Sequence, residues 1–216
     1  MAKTLSTGTV VAIASTYGSN VNMTALSNAA EAVATLAAGH GVVVGDYLEV
    51  TSGWGRLDKR IVRAKTVVTN DVTFEGINTV DTTKYPAGTG TGIIRRITAW
   101  VNLSQIKTPS LSGGEQKYAD ISDIENVVEV QAPTTRSAFT FSAEVFYDQT
   151  LAWWTTVLAA QNAATPYGIR LSMPNGNKVA GNGYWSIQEI PNIAANEALT
   201  HNVSCAFSAA PTPYAT

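Results

Sequence analysis

Charge is what this sequence lacks most. Lys, Arg, Asp and Glu make up 14% of its 216 residues, against roughly 25% in an ordinary soluble domain. A monomer that lives alone in solvent keeps its neighbours away with surface charge. Ala, Thr, Ser and Gly take the place of that charge here, which points to a surface covered largely by further copies of the chain. A neutral secreted domain is the alternative that composition leaves open. Cysteine is nearly absent too: Cys205 stands alone, which excludes an intrachain disulfide and a Cys-based zinc site. Two histidines, His40 and His201, leave little room for imidazole chemistry. The formal net charge of -2 provides no global basic field to hold nucleic acid. No apolar run approaches the ~18 residues of a membrane span. No apolar stretch follows Met1-Ala2-Lys3-Thr4, so no signal peptide is expected. The expectation is a soluble protein of the reducing cytoplasm, without cofactor, whose sequons at Asn22 and Asn202 arise by chance.

What is present reads mostly as strand, with 45% apolar residues to build a core. Thr9–Ala14 is a short β-branched run. Asp46–Thr51 alternates, with Tyr47, Glu49 and Thr51 on one face and Leu48 and Val50 on the other. Arg60–Val68 and Asp71–Glu75 flank Thr69-Asn70, a two-residue hairpin turn. Ile93–Leu103 follows the glycine-rich stretch Gly88–Gly92. Ala138–Phe146 puts Phe139, Phe141, Ala143 and Val145 inward, and Leu199, His201, Val203, Cys205 and Phe207 share one face near the C-terminus. One helix is expected over about 148–162, capped by Asp148, with Leu151, Trp154, Leu158 and Gln161 as its stripe and Pro166 as its stop. Met23–Ala38 fits helix or strand. The chain is expected to be one domain over 1–216, with a small β-meander module at 39–76 and a flexible C-terminal arm at 210–216.

Two segments carry unusual chemistry. The meander holds Trp54 and much of the positive charge: Arg56, Lys59, Arg60, Arg63 and Lys65. Thr108–Gln131 opens with Pro109, Ser110, Leu111, Ser112, Gly113 and Gly114, then turns acidic through Glu115, Asp120, Asp123, Glu125 and Glu129. A Pro-Ser-Gly-Gly tip between two strands predicts a projecting hairpin. Enzyme signatures are weak. Gly88–Gly92 precedes a strand where a phosphate loop needs a helix, and reads as a flexible linker. Cys205 and His201 share a strand face, but a dyad also needs an orienting group and a pocket, so a buried inert thiol is favoured. His40 reads as a turn residue. The acids lack the ligand order of a calcium loop, and no metal site is expected. The basic set is divided between both sides of a strand, and pairing with acids of a neighbouring subunit explains it at least as well as nucleic acid. A carbohydrate-binding β-sandwich would use Trp54, Trp100 or Trp185 as stacking platforms.

Three stretches, taken in order, resemble the major tail tube proteins of long-tailed bacteriophages with non-contractile tails. They are Gly45–Trp54 running on to Arg60–Arg63, Leu111–Tyr118 with the later Arg136–Phe141 strand, and Pro166–Gly176 continuing through Gly183-Tyr184 to Glu189–Pro191. The resemblance implies a mainly β, sandwich- or barrel-like tail tube fold with one flanking helix and long projecting loops. It implies hexameric rings stacked into a tube through which DNA passes into the host, with tape-measure, terminator and tail-tip proteins as partners and no enzymatic role. The hairpin that reaches the adjacent ring in that family matches Thr108–Gln116 here. Asp120, Asp123, Glu125 and Glu129 would line the lumen or meet the basic meander of the next ring. A tail terminator or capsid-decorating protein is the neighbouring alternative.

Overall fold

A computed structural model describes residues 7–125 and 127–215. The fold is mainly β, with fourteen strands and one helix among the described residues. The strands are β1 (Val10–Leu26), β2 (Val33–Leu36), β3 (Tyr47–Ser52), β4 (Ile61–Val68), β5 (Asp71–Phe74), β6 (Gly92–Asn102) and β7 (Ile106–Ser112). They continue as β8 (Gln116–Asp120), β9 (Gln131–Arg136), β10 (Thr140–Phe146), β11 (Tyr167–Ser172), β12 (Lys178–Ile187), β13 (Thr200–Phe207) and β14 (Thr212–Tyr214). The helix α1 spans Ala152–Ala163.

Twelve strands form one sheet, in which β1 has two jobs. Its C-terminal half pairs with β2, which closes the order β2-β5-β4-β3-β6-β1 into a six-stranded barrel. Its N-terminal half pairs with β11, from which an open sheet continues as β12-β13-β10-β7. Irregularities in the β1–β6 register between Ala14 and Asn20 let one strand turn from sheet to barrel, since each bulge bends and twists its strand. Met23–Ala38, which fits either structure by sequence, is the end of β1 plus β2, and its Ala32, Ala34 and Leu36 are buried in the barrel.

Each body has its own apolar core. The barrel encloses Met23, Leu36, Leu48, Val50, Trp54, Leu57, Val62, Phe74 and Ile94. The meander therefore shares its core with β1, β2 and β6. The open sheet wraps α1, burying Ile13, Phe141, Val145, Trp153, Trp154, Val157, Trp185 and Val203. Between them, Tyr47, Ile61, Ile97, Ala180 and Tyr214 form a third cluster. The alternation of β3 serves both sides. Leu48 and Val50 fill the barrel, while Tyr47 and Glu49 point toward the sheet and are buried there.

Three expectations are corrected. The helix begins at Ala152, because the Asp148 carboxylate accepts from the Thr150 N–H (3.0 Å) and hydroxyl (2.6 Å) and so closes a turn ahead of the helix; the N-cap is Leu151, without a side-chain cap. Its buried face is Trp153, Trp154, Val157 and Ala160, with Leu151 and Leu158 only partly covered. Residues 210–215 are not a free arm, and Thr216 lies outside the described residues. Thr212–Tyr214 pairs with β12 as β14, and Tyr214 is buried beneath the barrel. Gly88–Gly92 is not a flexible linker either. Gly90 lies against the Trp54 indole so closely that a Cβ there would sit 2.7 Å from the ring, and Trp54 Nε1 donates to the Pro86 carbonyl (2.8 Å).

Candidate assembly surface

The segment chosen from sequence as a projecting tip divides into two parts. Thr108, Pro109, Ser110, Leu111 and Ser112 lie in β7, paired with β10 in the register Ser110↔Ser142 and Leu111↔Phe141. They are the outer edge of the open sheet, where Pro109 is tolerated because an edge strand can spare a backbone N–H. The Pro-Ser-Gly-Gly run is thus no hairpin tip. Gly113 is the joint: its φ is +93°, and a Cβ there would lie 1.9 Å from the Ala138 carbonyl oxygen. Beyond it, Gly114 leads to Glu115 and Gln116, which open a separate two-stranded sheet, β8–β9.

The projecting element is this β8–β9 hairpin, and its tip is the acidic segment. Ile121 donates its N–H to Val130 O (2.9 Å), extending the ladder past Asp120. Asp120 accepts from the Ser122 N–H (2.9 Å), and hydrogen bonding with the Ser122 side chain and then this N–H holds its carboxyl below the usual carboxylate range. Asp123 accepts from the Glu125 N–H (3.0 Å). Glu125 and Glu129 are exposed. Interleaved with these acids are Ile121, Ile124, Val127 and Val128, of which Ile124 is 102% and Val127 99% exposed. Leaving a large aliphatic side chain in water forgoes about 1.5–3 kcal/mol of burial. The acid count masked this aliphatic set in the sequence, although the recurrence of Ile121, Ile124 and Val127 every three residues was its signal.

The basic set is brought together only in part. Arg63 is held by Glu75 in an ion pair that raises its pKa, and its guanidinium lies 4.7 Å from the Tyr214 ring centroid. Lys65 pairs with Glu31 at 2.5 Å, which depresses the Glu31 carboxyl. Arg60 Nη2 donates to Thr212 Oγ1 (2.8 Å), and burial lowers its pKa. These three are spent within the chain. Arg56 and Lys59 sit exposed on the turn after Trp54, Lys59 with φ of 59°.

The enzyme and lectin readings lose their carriers. Cys205 is fully buried, which pushes its thiol up, away from the thiolate. His201 is equally buried, its Nδ1 against the Gln188 carbonyl (2.6 Å) and its ring stacked on Tyr147. Trp54 and Trp185 are core residues, 2% and 3% exposed. Trp100 is half-buried, with the Arg170 guanidinium 4.7 Å from its ring. His40 bridges a turn, its Nδ1 accepting from the Val42 N–H (3.0 Å). Among the described residues no three His, Cys, Asp or Glu side chains are grouped to hold a metal, and no helix is long and apolar enough to cross a membrane.

What remains is a β scaffold carrying a long edge strand and a projecting hairpin with an aliphatic tip. No curated protein matches the chain closely enough to count as a relative. The family model described as phage tail tube protein, TTP, matches residues 52–216, which take in the edge strand, the hairpin, the helix and the whole open sheet beyond β1. The chain belongs to the phage tail tube protein family.

Proposed function

We propose that this chain self-assembles into hexameric rings that stack into the tail tube, the conduit for DNA on its way into the host. Tail tube proteins are structural components of the virion tail. The observation that supports the finer reading is the β8–β9 hairpin, whose aliphatic tip carries the two most exposed large hydrophobics, Ile124 and Val127, on a chain sparing of charge. Such a tip is a liability for a free monomer and an asset in a polymer. In this reading the subunit is no enzyme, binds no cofactor and stays in the host cytoplasm until assembly. Tape-measure, terminator and tail-tip proteins are its other partners. DNA passes without specific binding, since a neutral to acidic lumen does not retain a polyanion. Asp120, Asp123, Glu125 and Glu129 face the lumen or a neighbouring subunit. Within the basic meander, Arg56 and Lys59 are the cations left to meet a neighbouring subunit, because Arg60, Arg63 and Lys65 are held by Thr212, Glu75 and Glu31. Negative-stain electron microscopy of the purified protein should show rings and tubes; persistent monomers at high concentration would overturn the proposal.

A further inference from the structure

Among the described residues, the open sheet is not closed over its own core. Between the edge strand β7 and the start of β1 lies a groove of about 750 Å³. Its floor is Val11, Phe141 and Leu171, and its rims carry Leu111 on one side and Met173 on the other. Leu111 lies across from the buried Phe141 in the β7–β10 register, so it belongs to the core-facing side, yet it is 59% exposed. Pro109 is in the same position opposite the buried Ala143. The core of this body therefore reaches the surface along β7 and is left unfinished.

The same chain carries an aliphatic element of its own that nothing in the described residues covers, the tip of β8–β9. We infer that the tip of one copy, through Ile124, Val127 and Val128, seats in the groove of a second copy and completes its core. This inference rests on the tube reading and names the surface that receives the hairpin.

Charge favours this occupant. Lys107 is the charged residue lining the groove, and it is held only loosely by Glu144 at 3.4 Å. The tip is flanked by Asp120, Asp123, Glu125 and Glu129 without a cation between them. Seating the aliphatic side chains brings those acids past the lysine. An anionic lipid surface would be repelled by the same acids, which argues against a membrane as occupant. The geometry of the contact is equally telling. Tip and groove are different surfaces, so the contact is heterologous, and head-to-tail contacts of that kind generate rings or open filaments rather than closed dimers.

Cross-linking tests it. One batch of chains carries Val127→Cys on the tip, another Leu111→Cys on the groove rim; both positions are exposed and Cys205 is buried. Mixed at assembling concentration and mildly oxidised, the two should give a covalent heterodimer about tenfold above either batch alone, since a disulfide forms only when the two Cβ atoms come within about 4.5 Å. Adding Ile124→Asp to the tip chains should cut that yield about tenfold. Equal dimer from Val127→Cys alone would mean that tips pair with tips and would overturn the seating. A cross-link confined to single chains in the double variant would overturn it as well. Tubes that form without the mixed cross-link would overturn the seating and leave the tube reading standing, whereas a wild-type chain that forms no tubes would remove both.

Discussion

Tyr214 shows how much one side chain can carry at a junction. Its hydroxyl accepts from the Arg63 N–H (2.8 Å) and donates to the Ile61 carbonyl (3.3 Å), both on β4, while its own strand is paired to β12. Its ring packs edge-on against Tyr47 under the Arg63 guanidinium. Tyr214→Phe keeps the ring but leaves a buried N–H without its partner, at a cost of about 1–3 kcal/mol, to be read from urea unfolding. The same burial raises the Tyr214 hydroxyl pKa far above its ordinary value, and Tyr17, whose hydroxyl accepts from the Gly168 N–H (2.8 Å), is raised likewise. The sign follows from linkage. Each raised tyrosine contributes stability that is present below the ordinary value of about 10. Above that pH the unfolded chain releases the proton first, and the contribution is lost as pH rises through the folded value. Urea midpoints should therefore fall between pH 9 and 11 more steeply in the wild type than in Tyr214→Phe. An unchanged slope in the variant would mean that Tyr214 does not dominate the alkaline limb.

At the scale of elements, sequence periodicity was a good guide wherever one face is buried and a poor one where both are. β10 and β13 show their alternation plainly, because Phe141, Ala143 and Val145, then His201, Val203 and Cys205, point into one core. β12 gave no such signal. Its Gly181-Asn182-Gly183 run is depleted in strand formers, yet all three residues are buried, and Asn182 Nδ2 donates to Glu49 Oε1 (2.8 Å) to tie the sheet to the barrel. The helix start was misplaced because Asp148 makes a turn that resembles a cap in sequence alone. A projecting hairpin is expected at Thr108–Gln116, but that stretch is mostly sheet-edge strand; the hairpin follows it, and the glycines expected at its tip serve as a joint. Because β8–β9 buries almost nothing in its own chain, its energetic role in the monomer should be small. Joining Glu115 directly to Ser137, which already pair through the Ser137 N–H (2.9 Å), removes the hairpin cleanly. That deletion should change stability by less than about 1 kcal/mol, a Tm shift within about 2–4 °C, while abolishing tubes. A much larger loss on thermal unfolding would place the hairpin in the fold rather than in assembly.

The whole molecule is two cores on a shared strand, and that arrangement was the least legible of all. The arrangement depends on β1 pairing with β2 and β6 in the barrel and with β11 in the open sheet, and such long-range pairings leave no local mark on sequence. The same arrangement makes the junction a mechanical question. Besides β1 and β6, the two bodies are joined by Glu49, which binds Arg95 within the barrel and Asn182 on the sheet, and by β14 with Tyr214. Glu49, 7% exposed, has Arg95 and Asn182 as partners, the condition under which a buried charge is tolerated. The β14 strand contributes the burial of Tyr214, about 1.5–3 kcal/mol by area, together with hydrogen bonds worth about 1 kcal/mol each. Removing residues 211–216 should therefore cost about 3–5 kcal/mol, less than the total stability of a domain this size, and loosen the coupling between the cores. The tryptophans report on both: Trp54 lies in the barrel, and Trp153, Trp154 and Trp185 lie in the sheet core. In a Trp54→Phe, Trp100→Phe background, fluorescence follows the sheet core while circular dichroism follows all strands. The full chain should give coincident transitions, as a two-state unit does. The truncated chain should give transitions that separate in denaturant, with fluorescence and circular dichroism no longer sharing a midpoint. If they remain superimposed after truncation, β1 and β6 alone couple the barrel to the sheet, and the C-terminal strand acts as a local brace.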